Sequence, residues 1–232
     1  MALFVVAIDG YAGSGKSTTA KSVAKRLNFL YLDTGAMYRA FTFKYRQKND
    51  AETIDLKVVK ELLRDTKIDL VTRGDQTKVI LDGRDVSRDI RTPRINNFVS
   101  QIAAIPEIRE FMVRRQREIA ADHKVVCEGR DITTVVFPDA QIKIYMDADL
   151  KTRSQRRQKE LLDKGIEVTM DDVMKNLKFR DDYDSGREHS PLRRTADSIL
   201  VDTTDLTIEQ EIDLVEKIVR EKLNKNNEKK KI

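Results

Sequence analysis

The chain has 232 residues, 40% of them hydrophobic, enough for one domain with its own core or one domain carrying insertions. A single cysteine excludes an internal disulfide framework, no Cys/His spacing resembles a zinc site, and no apolar run reaches the ~18 residues of a membrane span. The net charge is +5, but residues 220–232 hold six Lys/Arg against two Asp/Glu, which leaves 38 against 37 in residues 1–219. The body is thus nearly neutral, and the basic excess sits in a tail ending NKNNEKKKI. A solvated, frayed terminus over 224–232 accounts for that tail more simply than a nucleic-acid arm. Met1 opens directly into strand-like sequence with no leader peptide, which reads as a soluble protein of the reducing cytoplasm with no membrane partner.

Along the chain, apolar strand runs alternate with helical stretches, the signature of an α/β fold with a parallel sheet flanked by helices. The first strand, 3–9, runs straight into GYAGSGKS, residues Gly10, Tyr11, Ala12, Gly13, Ser14, Gly15, Lys16 and Ser17. With Thr18 inside a helix over 16–27, this is a Gly-x4-Gly-Lys-Ser phosphate-binding loop in its proper strand–loop–helix setting, which makes a chance glycine turn the weaker reading. Lys16 is placed to reach the β/γ-phosphates of a nucleotide, and the Ser17 hydroxyl to ligate Mg²⁺.

A second strand at 29–32 and a helix at 35–47 flank Asp33-Thr34-Gly35-Ala36-Met37-Tyr38-Arg39, a hydroxyl and a guanidinium at a strand's carboxyl end. Between helices, about 65–91 breaks the rhythm. Strand-like 67–71, 77–81 and 85–87 are separated by Arg73-Gly74-Asp75 and Asp82-Gly83, a small antiparallel unit inserted in the fold rather than a surface excursion. Helices follow at 94–103 and 107–121, then a strand at 125–128 that ends in Glu128-Gly129-Arg130-Asp131. A strand at 142–147 leads to a charged helix, 150–164, bearing Arg153, Arg156 and Arg157 at i, i+3, i+4. The helix 170–188 carries Arg180, Asp184 and Arg187, which at about 100° per residue fall within about 60° of one another. A salt-bridged surface face remains open for the Arg180 group, and the Arg153 group, taken alone, reads as a solvated face. The chain closes with a strand at 198–202 and a helix at 208–224, opened by Thr207 and Gln210 in capping-box spacing.

Taken together, the arginines outside the loop call for a second phosphate-bearing ligand. The planar guanidinium grips phosphate bidentately and does not lose its proton. Phosphoryl transfer needs this equipment, since positioning and charge neutralisation supply most of its catalysis. His123 and His189 form no paired motif, and Cys127 sits inside an apolar strand, so none reads as a nucleophile or general base.

IDGYAGSGKS, LYLDTGAMYRA, EGRDITTVVFPDA and FRDDYDSGREHSPL followed by ADSILVDTT resemble, in order, the bacterial cytidylate (CMP) kinases of the nucleoside monophosphate kinase group, over residues 2 to about 223. The resemblance implies a P-loop core of 1–232 with a mobile monophosphate-binding insertion at about 36–105 and a short lid at about 151–166. It implies ATP and Mg²⁺ at residues 10–18, with CMP or dCMP as the second substrate. Thr34, Arg39, Arg130 and Arg187 would surround the acceptor phosphate, beside Gly129. Ser100, Arg109 and Asp131 would read cytosine, and Arg180 and Asp184 would hold the sugar. Arg153, Arg156 and Arg157 would close on the transferring group, with Lys16 and Arg130 completing the catalytic set. The chain departs from the family pattern at Tyr11, where Pro is frequent, at Glu128, where Asp is common, and at Thr133, where Gly is common. Thr133 bears on the loop after Asp131 and hence on base preference. No obvious Walker-B aspartate completes a metal shell. Two other readings stay open: a P-loop kinase acting on a different small acceptor such as another nucleoside monophosphate, and a nucleotide-binding module that performs no transfer. No spare apolar helix face stands out, which favours a monomer.

Overall fold

The run FVVAIDG is buried at all seven positions, as a strand covered on both faces must be. In the computed structural model, which describes residues 1–73, 76–163 and 165–229, it forms β1 (Phe4–Gly10) at the centre of a five-stranded sheet. The order is β2 (Leu30–Asp33), β6 (Lys124–Gly129), β1, β7 (Ile142–Asp147), β8 (Ile199–Asp202), and all pairs are parallel. Side chains alternate along β1. Val5 and Ala7 join the core under α2 (Thr34–Lys48), α4 (Pro93–Ile102) and α5 (Pro106–Ala120). Phe4, Val6 and Ile8 face α1 (Lys16–Leu27) and α8 (Ile208–Lys229). The chain leaves β1 to one side for β2 and later crosses to β7 on the other, so the carboxyl ends of β1, β2 and β6 open a ligand crevice.

The inserted unit is a three-stranded antiparallel sheet, β3 (Ile68–Arg73), β4 (Gln76–Leu81) and β5 (Arg84–Asp85). It is no surface excursion: Ile68, Leu70, Val79 and Leu81 belong to the same buried cluster as Val5 and Leu32. Gly74 and Asp75 of the expected turn, and Lys164 at the expected end of the charged helix, lie outside the described residues.

Several boundaries differ from the sequence reading. A helix α3 (Leu56–Asp65), capped by Asp55, precedes the insertion, and only Val59 and Leu62 of it are buried. A short 3₁₀ turn, Asp89–Arg91, and a π-helical turn, Ile132–Val136, were not expected either. The charged helix, α6 (Leu150–Leu162), ends short of the expected 164. The next helix, α7 (Met170–Ser185), stops at Gly186 and not at Glu188, so Arg187 lies beyond the helix end. The last helix continues past the expected end at 224 to Lys229, and residues 230–232 of the expected tail lie outside the described residues. Thr207 and Gln210 do form the reciprocal cap at its start, at 2.9 and 3.3 Å. No described helix is long and apolar enough to cross a membrane.

Candidate active site

The crevice at the strand ends holds a cavity of about 660 Å³, lined by ten basic and seven acidic side chains. One wall is the glycine loop. Helices α2, α4, α6 and α7 are capped by the side chains of Asp33, Thr92, Asp149 and Thr169, but the cap position of α1 is Gly15 (φ +86°), which offers no side-chain cap. Its first N–H groups therefore stay available to an anion. The positive φ at Gly15 favours glycine, and a Cβ there would also run into the Glu211 carboxylate. Lys16 is buried and donates from Nζ to the Tyr11 carbonyl at 2.6 Å. Burial, with Arg130 beside it, pushes its pKa down to about 7. Ala12, Gly13, Gly15, Lys16, Ser17 and Thr18 line the cavity, while Gly10, Tyr11 and Ser14 do not.

Sequence reading found no acidic partner for Ser17. The structure supplies one, because β6 lies beside β1 and carries Glu128 next to its last residue. Its Oε1 accepts from Ser17 Oγ at 2.6 Å and from Tyr31 Oη at 3.2 Å. Among the described residues no cluster of three or more His, Cys, Asp or Glu side chains could hold a metal alone. A hydroxyl and a carboxylate oxygen fit Mg²⁺ that keeps phosphate and water oxygens in its shell.

All ten residues expected on the acceptor side line the cavity: Thr34, Arg39, Ser100, Arg109, Gly129, Arg130, Asp131, Arg180, Asp184 and Arg187. Thr34 Oγ1 donates to the Glu128 carbonyl at 2.7 Å, and a Cβ on Gly129 would sit 2.6 Å from that hydroxyl. Asp184 is the hub. Its carboxylate accepts from Arg130 Nε at 2.8 Å and pairs with Arg187, which folds back past Gly186 to reach it. Burial opposes the Asp184 charge, yet Arg130, Arg187 and Arg180 together hold its carboxyl below the usual range. That one carboxylate does not balance the cluster. Arg180 Nε is buried with no hydrogen-bond partner, and burial together with Arg130 and Arg39 pushes its pKa down to about 9. Burial likewise lowers Arg39, whose Nε donates to Asn96 Oδ1 at 3.0 Å. Guanidiniums that repel one another in a buried cleft form a site for a phosphate dianion.

Deeper in, Arg109 pairs with Asp131 and donates to the Ala103 carbonyl at 2.9 Å, its guanidinium 5.6 Å from the Tyr38 ring centre. With buried Ser100 this makes a slot whose polar groups could meet the edge of a base. Arg91, on the 3₁₀ turn, also lines the cavity and pairs with Asp33 at 3.3 Å; sequence gave no signal for it.

The α6 arginines are not a solvated face. Arg156 and Arg157 line the cavity; Arg156 pairs with Glu211 at 2.9 Å and Arg157 with Glu160 at 2.6 Å. Arg153 turns away. Its guanidinium donates to the Ala148 carbonyl (2.9 Å), the Ala12 carbonyl (3.2 Å) and Asp181 Oδ2 (2.6 Å), and lies 5.0 Å from the Tyr11 ring centre. His123 and His189 stay out of the cavity, and Cys127 is fully buried with its thiol pushed well up by burial.

The family model for cytidylate kinase matches residues 6–222. A protein named cytidylate kinase from Caldanaerobacter subterraneus subsp. tengcongensis is 48% identical, covering 93% of this chain and 94% of its own. Its namesake from Fusobacterium nucleatum subsp. nucleatum is 47% identical over 92% and 95%. The solved structure of an uncharacterized protein from Eubacterium ventriosum ATCC 27560 covers 94% of this chain and 98% of its own, with 15% identity and a TM-score of 0.51, a likeness of fold.

Proposed function

The chain belongs to the cytidylate kinase family, and from that premise we propose that it transfers the γ-phosphoryl group of ATP to CMP or dCMP, giving ADP and CDP or dCDP. The observation that carries the reading is the unbalanced guanidinium cluster around Asp184, set across one cavity from the glycine loop. A polyphosphate site facing a monophosphate site is what an in-line transfer between two nucleotides requires. The loop N–H groups and Lys16 hold ATP, while Thr34, Arg39, Arg130 and Arg187 hold the acceptor phosphate. Arg180 and Asp184 hold the sugar. The acceptor oxygen is already an anion, so no side chain need take its proton.

Ser17 and Glu128 would hold Mg²⁺, whose charge would offset that of the phosphate oxygens. Arg156 and Arg157 face the cavity from the lid side, where they can neutralise charge that develops during transfer. Arg153 would have to release Ala12 and Asp181 before it could join them. At the base slot, Asp131 accepts from the cytosine amino group and repels the carbonyl that uracil carries there. A hydrogen-bonding site of this kind discriminates far better than an apolar pocket.

The test is ADP formation from ATP and Mg²⁺ with CMP, dCMP, UMP, AMP, GMP and dTMP as acceptors. Selective turnover of CMP and dCMP is expected, with Asp131→Ala eroding the preference for CMP over UMP more than it weakens ATP binding. Turnover confined to another acceptor would discard the base assignment, and no acceptor-dependent turnover from folded protein would discard the kinase.

A further inference from the structure

Asp9, near the end of β1, is fully buried and is not among the residues that line the cavity. Its carboxylate accepts three hydrogen bonds. Oδ1 takes the N–H of Ile132 at 2.8 Å; Oδ2 takes the N–H of Thr133 at 2.8 Å and the Thr133 hydroxyl at 2.6 Å. No cationic side chain pairs with Asp9 among the described residues, so burial dominates and pushes its pKa up to about 6, with the Thr133 and Ile132 bonds pulling against it. These donors hold a lone buried carboxylate in its accepting form.

The three donors all belong to the start of the π-helical turn Ile132–Val136, and Asp131 stands at its N-cap position. Such turns concentrate at functional sites. The Asp131 carbonyl accepts from Val135 at 2.9 Å and Val136 at 3.1 Å, and its carboxylate pairs with Arg109. Arg109 thus fixes Asp131 by its side chain, and Asp9 fixes the backbone turn that carries it.

We propose that Asp9 and the Thr133 hydroxyl form a positioning pair that sets the cytosine-reading geometry of Asp131, so that acceptor-base selectivity depends on two side chains that never meet the nucleotide. The proposal rests on the reading of Asp131 as the base-reading group. Valine at 133 keeps the shape of threonine and removes the shortest of the three bonds. Asp9 then keeps only backbone donors, and the turn gains freedom where the base must be met.

The experiment compares native protein, Thr133→Val, Thr133→Ser and Asp131→Ala, reading kcat, KM for CMP, KM for ATP and the kcat/KM preference for CMP over UMP. Thr133→Val should raise KM for CMP about tenfold and cut the preference about tenfold, the value of one hydrogen bond to a charged acceptor. KM for ATP should stay within about twofold, and Thr133→Ser, which keeps the hydroxyl, should restore both quantities. A lower melting temperature with native KM for CMP and native preference would mean a merely structural cap and overturn the proposal, as would a rise of both KM values together. Should Thr133→Val not fold, Asp9→Asn puts the same question with the same readouts. If Asp131→Ala itself keeps the preference, the base assignment fails and this proposal with it. If Asp131→Ala loses the preference and Thr133→Val keeps it, only the positioning pair is lost.

Discussion

Titrating the protein with ATP at pH 8 should draw close to one proton per site from the buffer, and Lys16 should be its destination. In the free cleft Lys16 is buried against Arg130 with its pKa pushed down to about 7, so at pH 8 only about a tenth of it carries a charge. A polyphosphate seated on the loop N–H groups reverses that balance and returns the ammonium to its ordinary range, above 10. The uptake is then about 0.9 proton per site at pH 8, and Lys16 contributes about 0.1 at pH 6, where it is already mostly charged. The same displacement fixes a stability trend. A lysine whose native pKa is depressed favours unfolding while it is charged in both states. Native stability should therefore rise as pH climbs from about 7 towards 10.5, and Lys16→Met should flatten that rise. Calorimetric titration in buffers of different ionisation enthalpy reads the proton count directly as a slope. A zero slope for the native protein at pH 8, or an equal slope for Lys16→Met, would refute the reasoning.

Asp184→Asn removes the one carboxylate shared by Arg130 and Arg187 and should cost about 3 kcal/mol, seen as a melting temperature lower by about 6–12 °C. Because the Asp184 pKa is depressed, the deficit should hold across neutral pH and vanish only as acid protonates the native carboxylate; a melt within a degree of native at pH 7 would contradict the hub. Gly15→Ala should weaken ATP binding by more than tenfold, since φ is +86° and the new Cβ meets Glu211 Oε2. Adding Glu211→Ala should recover the steric part alone, and native affinity in the single variant would count against the loop geometry. Arg153→Met should raise KM for ATP more than it lowers kcat, and Asp181→Asn should reproduce it. A large fall in kcat from Arg153→Met alone would instead place Arg153 on the transferring group.

The sheet was legible because its strands are apolar enough to be buried on both faces, and the insertion because its strands alternate between turns. Helix α3 escaped notice although Asp55 caps it, being short and burying only Val59 and Leu62. The π-helical turn could not be read from ITTVV, a β-branched run, because what holds it is Asp9, more than 120 residues earlier. Spacing brought the glycine loop and the arginine groups to notice, while their directions are tertiary. Gly186 ends α7 before Arg187, which reaches Asp184 from a loop, and Arg153 leaves the face it shares with Arg156 and Arg157 to bind the Ala12 carbonyl. Glu128 and Glu211 meet the loop through neighbouring elements that no local pattern announces.

The place of β1 in the sheet has a bearing on how the chain is born. Its partners are Val126 opposite Val6 on one side and Ile142 on the other, so the ribosome releases a strand apolar but for Asp9 long before either neighbour exists. A growing chain must shield FVVAIDG through that interval, a hazard common to sheets built from distant contacts. The glycine loop waits longer still. Glu211 against Gly15 and Thr19, and Arg26 among Glu209, Asp213 and Glu216, join α1 to the last helix made. The segment proposed to hold ATP is among the first to be translated and the last to acquire its full support, so a product cut short before α8 carries the whole motif without the frame that shapes it.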